Sequence, residues 1–224
     1  MNRNIAIHYI VGVSIGSMKE PTSIAIIEQE TRVRDGWDAY NHALRLRHLE
    51  RVPLDMRYPD LVDHVGELID KLQEHEQALE TALLVDVTGT SKSVGDLMVQ
   101  SGLKPIRVAI AGGTGEDETK FNEWRLAKTE LVGGLQVAFQ SDRLEMAAGV
   151  DLIPVLVEEL HNFKMRPPII NANDPESWRE GQFDDLVFAV GLANWRATKH
   201  IPRPQRVNDE WNRKIGEINH AWIV

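Results

Sequence analysis

The chain has 224 residues, 42% of them hydrophobic and 26% charged, which fits one folded domain and excludes a chain that is disordered throughout. With 25 Lys and Arg against 34 Asp and Glu, the net charge is −9 with histidine neutral. The overall field therefore does not hold nucleic acid, and contact with DNA needs a local basic patch or a bound cation. Cysteine is absent, so disulfides, thiolate metal sites and cysteine nucleophiles are excluded.

The opening Met-Asn-Arg-Asn leads directly into a strand-like segment, so no signal peptide is expected. Residues Ile5–Ile15 and Thr22–Glu28 are rich in Ile and Val and are separated by a Gly/Ser/Lys/Pro break. They predict a β-hairpin. A third strand is expected over Ala43–Val52, with Leu44, Leu46, His48 and Glu50 on one face. Arg45, Arg47, Leu49 and Arg51 alternate with them as a solvated basic edge. Tyr58, Leu61, Val62, Val65, Leu68, Ile69 and Leu72 then repeat at helical spacing, with Pro59 in the first turn. His64 and His75 fall on the polar side of that helix and are expected in solvent.

The run Ala82–Val85 reads as a buried strand ending at Asp86, followed by a Thr-Gly-Thr-Ser turn. A short helix around Val94, Leu97 and Met98 stops at Gly102, and Ile106–Ile110 is the next strand. Strand, helix, strand, helix, strand is the pattern of parallel pairing. Ala111–Glu123, with three glycines, four acids and few apolar residues, is expected to be a mobile loop. Helices follow over Ala127–Gln140, Leu152–Phe163 and Phe183–Thr198, with a short strand at Arg143–Met146 and an extended stretch at Phe163–Ala172. Leu186–Ala193 carries no polar side chain, so the last helix is buried. It is also the longest apolar run, far short of the roughly 20 residues of a membrane span. This organisation predicts one domain over 5–199 and an irregular arm over 200–224.

Candidate chemistry falls at strand ends. Ser14 ends the first strand, Asp86 ends the fourth, and Asp184 and Asp185 open the last helix. Clustered carboxylates can hold two divalent ions, activate a water and stabilise a leaving oxygen, and hard oxygen donors suit Mg2+ or Mn2+. The same acids also read as ordinary local structure. Asp184 and Asp185 would cap a helix, and Asp86 would form a turn. Gly112-Gly113-Thr114-Gly115 lacks the Lys-Ser/Thr of a phosphate loop and reads as surface. No histidine pair has HExxH spacing. Arg125 and Lys128 flank a helix start, where they could meet phosphates or simply face water.

The order of elements resembles a ribonuclease-H-like α/β domain, with three antiparallel strands, then parallel strands, flanked by helices. Four stretches also resemble the nuclease domain of bacteriophage terminase large subunits. They are Tyr9–Gly16 with Glu20–Ile26; Leu84–Gly89; Trp124–Lys128 with Leu131–Gly133 and Leu135-Gln136; and Trp178–Gly181 with Asp184–Ala189 and Leu192-Ala193. The resemblance implies a two-metal DNA endonuclease of genome packaging, using Mg2+ or Mn2+, in the host cytoplasm of a phage or prophage. Asp86, Asp184 and Asp185 would be catalytic metal ligands, and Lys128 and Arg125 would touch double-stranded DNA. Two positions depart from the family: Ser14 stands where an aspartate is expected, and Gln182 stands where relatives often have histidine. No GxxxxGK[ST] is present, so the resemblance implies a packaging ATPase or portal partner on another chain, and no membrane. The alternative is a catalytically inactive nuclease-like protein that binds DNA or a packaging partner.

Overall fold

A computed structural model describes residues 5–17, 20–33, 40–75, 78–163 and 184–199. The extended stretch expected after Phe163, Gln182, Trp178 and the arm from residue 200 lie outside the described residues. The strands are β1 (Ile5–Ser14), β2 (Thr22–Val33), β3 (Tyr40–Val52), β4 (Ala78–Asp86), β5 (Ile106–Ala111), β6 (Glu116–Lys120), β7 (Glu123–Ala127) and β8 (Leu144–Met146). The helices are α1 (Tyr58–Gln73), α2 (Lys92–Gln100), α3 (Lys128–Gln140), α4 (Ile153–Asn162) and α5 (Asp185–Lys199). No helix among the described residues is long and apolar enough to cross a membrane.

All eight strands form one sheet in the order β6-β7-β5-β4-β1-β2-β3-β8. β1, β2 and β3 are antiparallel neighbours, and β4 and β5 continue the sheet in parallel from β1. That is the ribonuclease-H-like arrangement expected from the element order. Alternation along each strand divides the core in two. Ile7, Tyr9, Val11 and Val13 point to one face and pack beneath α1 and α2 with Leu61, Val65 and Met98. Ile10, Ala25, Ile27 and Leu84 point to the other, against α3, α4 and α5.

Helix α5 is the centrepiece of that second layer. Twelve of its 15 residues are buried, consistent with its lack of a polar stripe. It lies across β1 and β2, and Gly12 makes this close approach possible. A Cβ at position 12 would stand 3.0 Å from the Ala193 nitrogen and closer still to the Ala189 carbonyl oxygen.

Three expectations are corrected. The segment Ala111–Glu123 is not a loop: β6 pairs antiparallel with β7 through a two-residue turn at Phe121 and Asn122, where Asn122 has φ 60°. All five residues of β6, Glu-Asp-Glu-Thr-Lys, are exposed, so no apolar alternation announced the strand. Its backbone pairing and the Trp195 indole, which donates to Glu116 at 2.7 Å, hold it in place. Second, β3 does not keep one alternation from end to end. The register shifts opposite Ile26 and Ile27, skipping Arg47, as in a β-bulge. Leu49 and Arg51 therefore join Leu44 and Leu46 on the α5 side, while Val52 joins the opposite core. The arginines are ion-paired: Arg45, largely covered, meets Glu28, Glu30 and Glu145, while Arg47 meets Glu28 and stays exposed as expected. Third, His64 is half-buried and sits 2.6 Å from Glu50, whereas His75 is exposed as expected.

Candidate active site

The sheet brings four polar residues into one row on the α5 face. Ser14 pairs with Ser23 across β1 and β2, and Ser23 pairs with Arg51 across β2 and β3. On the other side β1 and β4 run in parallel with Val13 beside Val85, and the next position sets Ser14 beside Asp86. The row is Asp86, Ser14, Ser23, Arg51. It lies at the carboxyl ends of the parallel strands β1 and β4, where open α/β sheets place their ligands. Adjacent strands are about 4.8 Å apart, so about 10 Å separates the backbones of Asp86 and Ser23, with Ser14 between them.

The row is covered at one end by the first turn of α5. The Ser23 hydroxyl donates to Asp185. Arg51 presents a two-pronged fork to the same carboxylate, Nε to Oδ2 at 2.9 Å and Nη2 to Oδ1 at 3.0 Å. Arg51 Nη2 also donates to Glu159 of α4. The other Glu159 oxygen accepts from the Val187 amide at 3.3 Å. Asp185 and Glu159 are both buried, at 8% and 6% side-chain exposure, and Arg51 is 27% exposed. Such charge-assisted, two-pronged contacts are stronger and more directional than neutral hydrogen bonds. Burial acts to lower the Arg51 pKa, but its bonds and attraction to Asp185 hold it above the ordinary value. Burial first, and the charge of Asp185 second, push the Glu159 carboxyl up to about 8, against the pull of Arg51.

Asp184 is placed differently. Its carbonyl accepts from the Phe188 amide, closing the first turn of α5, and its carboxylate lies 3.5 Å from Lys128 Nζ. Lys128 also stands 4.4 Å above the Phe163 ring and 5.1 Å above Phe188. Both contacts have cation–π geometry. Asp86 is fully buried. Its Oδ1 accepts from the Thr88 amide at 2.8 Å and from the Thr88 hydroxyl, which itself accepts from the Ile110 amide at 2.8 Å. The turn reading of Asp86 is thus realised, and it orients this carboxylate at the end of β4.

Among the residues singled out from the sequence, the structure gathers Asp86, Ser14, Asp185, Asp184 and Lys128 at one end of the sheet. It does not bring Arg125 there. Trp124 and Leu126 pack into the α5-side core, so Arg125 between them faces the opposite side, opposite Asp117 of β6. Three residues of the site went unrecognised in the sequence: Ser23, Arg51 and Glu159. Arg51 was hidden by the bulge at Arg47, which reverses the face predicted for it.

The donor set does not fit a pair of divalent ions. The central position is a neutral serine hydroxyl, a weak ligand for a hard cation. Both oxygens of Asp185 are engaged by a guanidinium, and Glu159 shares it. No group of three or more His, Asp or Glu among the described residues is arranged to hold a metal ion.

No family model matches the chain, and no curated protein matches it. Among solved structures, it is similar to the human cytomegalovirus terminase nuclease domain, with a TM-score of 0.47 for a Mn-soaked form and 0.45 for another. In both, 16% of aligned residues are identical, and the match covers 85% of this chain and 83% of that one. Likeness at this level adds no residue assignment to those the geometry makes.

Proposed function

We propose that the chain is a nuclease-fold domain of the terminase type, serving viral genome packaging, with its site held in a form that does not hydrolyse DNA. The observation that carries this reading is the Arg51 fork on Asp185 next to a serine at position 14. Asp86 and Asp185 stand where two acids of a phosphodiester-cleaving centre would stand. The residue between them supplies no charge, and the nearest cation is covalently part of the protein. The polymer such a domain meets is double-stranded DNA in the host cytoplasm, with a packaging ATPase or portal as its partner. Of the two basic residues expected to touch DNA, Lys128 is paired with Asp184 at the site, while Arg125 is exposed on the other face of the sheet.

A second reading, a working Mg2+- or Mn2+-dependent endonuclease, is favoured by one feature. Asp86 keeps an ionisable group in a fully buried position at a strand end, where burial alone penalises charge. Plasmid nicking in Mn2+ separates the two. The first reading expects the native chain to nick supercoiled DNA no faster than Asp86→Asn, and Ser14→Asp/Arg51→Met, which adds the acid and removes the guanidinium from Asp185, to nick measurably faster than either. Native cleavage that Asp86→Asn abolishes would replace the first reading with the second.

A further inference from the structure

We propose that the Arg51 guanidinium is the resident cation of this site, occupying on Asp185 and Glu159 the place a divalent ion would need, so that the native fold neither requires nor binds one there. The inference rests on the nuclease-type reading of the pocket and goes beyond it by naming what replaced the metal. Two carboxylates from different helices, Asp185 opening α5 and Glu159 within α4, converge on one guanidinium. Both are more than nine-tenths buried. Acids that close and that dry do not both carry charge without a cation or a proton between them, and the Asp185 charge needs a cation beside it. In a metal centre the ion does this. Here the β3 strand does it, because the bulge at Arg47 turns Arg51 toward α5.

The rest of the row agrees with an internal cation. Ser14 and Ser23 bring no further negative charge, and Ser23 donates to Asp185 rather than competing for Arg51. Asp184 has its own cation in Lys128. An incoming divalent ion would have to displace a two-pronged ion pair and then sit within a few ångströms of the displaced positive charge. The serine at position 14, where the resemblance expects an acid, and Arg51 on Asp185 and Glu159 fit together as one arrangement. The pocket holds one acid fewer than a two-ion centre would, and a fixed positive charge serves those that remain.

The experiment is thermal unfolding of the full chain and of Arg51→Met, each in chelator and in millimolar Mn2+ or Ca2+, with calorimetric titration of Mn2+ into both. The native chain is expected to show the same Tm in all three conditions and no heat of ion binding. Arg51→Met, which leaves the buried Asp185 carboxylate with no cation beside it, is expected to melt roughly 10 °C lower in chelator. Either ion should recover at least half of that loss by binding the folded state. A native Tm raised by Mn2+ would overturn the proposal. So would an Arg51→Met variant that melts like the native chain, or one that melts lower and is not rescued by either ion. Should Arg51→Met fail to fold, Arg51→Lys takes its place: a single ammonium cannot reproduce the fork, so a lowered Tm that Mn2+ raises supports the proposal and a native-like Tm refutes it. None of these results depends on DNA cleavage. Failure here leaves the nuclease-type reading to the nicking assay, and failure of nicking by Ser14→Asp/Arg51→Met leaves the role of Arg51 standing.

Discussion

Gly12→Ala tests the packing that positions the site. Gly12 lies in β1 two residues before Ser14, directly under α5. The added methyl carbon would stand 3.0 Å from the Ala193 nitrogen and 3.2 Å from the Ala189 carbonyl carbon, and nearer still to that carbonyl's oxygen. These are backbone atoms of a helix and cannot rotate away. Restoring a contact of about 3.5 Å requires α5 to withdraw from the sheet by roughly 1 Å. Overpacking of a core costs about 1–3 kcal/mol, and a rigid backbone obstacle places this case at or above the upper end. For a chain of this size that corresponds to a Tm lower by roughly 6–12 °C. The control is Gly191→Ala on α5 itself, where the new carbon would stand 3.5 Å from Leu131 Cβ and 3.8 and 3.9 Å from that residue's carbonyl oxygen and carbon, all ordinary contacts. There the gain in helix propensity, about 0.5–1 kcal/mol, is expected to leave Tm unchanged or raised. Differential scanning calorimetry of the three proteins decides the matter. If Gly12→Ala melts within a degree or two of the native chain, or Gly191→Ala is the worse of the pair, the account of α5 seated on β1 is refuted.

Glu159 has a folded pKa of about 8 against an ordinary 4.5, so the folded chain holds a proton there that the unfolded chain releases. Its contribution is fully present below about 4.5 and is lost as pH rises toward about 8, on the order of a few kcal/mol. Glu159→Gln should flatten that part of the stability–pH curve, and an unchanged slope between native and variant would contradict the assignment. Thr88→Val removes a hydroxyl that serves both Asp86 and the Ile110 amide, and should cost about 1–3 kcal/mol in urea unfolding; a loss below the error of the fit would count against it. Trp195→Phe deletes the indole bond to Glu116. Faster amide exchange over 116–120 with little change in global Tm is expected, and unaltered exchange would show that the hairpin is held by other means.

Much of the architecture was readable because it was written in apolar periodicity. β1, β2, α1, β4, α2, β5 and α5 each bury a regular stripe or an uninterrupted apolar run, and their spacing reports the element directly. β6 was illegible for the converse reason. Its five exposed polar residues encode nothing about burial, and only backbone pairing with β7 makes it a strand. The site divides along the same line. Asp86 and Ser14 were visible because strand ends are visible, and Asp185 because a charged pair opened an otherwise apolar helix. Arg51 and Glu159 were not, because each sat in a pattern that reads as solvent-facing. A single bulged residue, Arg47, moved Arg51 to the other face, and only the tertiary packing of α4 on α5 brought Glu159 to it. Arg125 shows the same limit in reverse: three residues from Lys128 in sequence, it projects from the opposite side of the sheet.

The central claim is that Asp86 and Asp185 flank one nuclease-type pocket in which a serine has replaced the middle acid. Mn2+-dependent nicking of supercoiled plasmid by Ser14→Asp/Arg51→Met, run beside the native chain and a triple variant that adds Asp86→Asn, tests it most directly. Cleavage by the double variant, absent from the native chain and lost again in the triple variant, is the expected result. A folded Ser14→Asp/Arg51→Met protein that cleaves no better than the native chain, or a triple variant that cleaves as well as the double one, would contradict it.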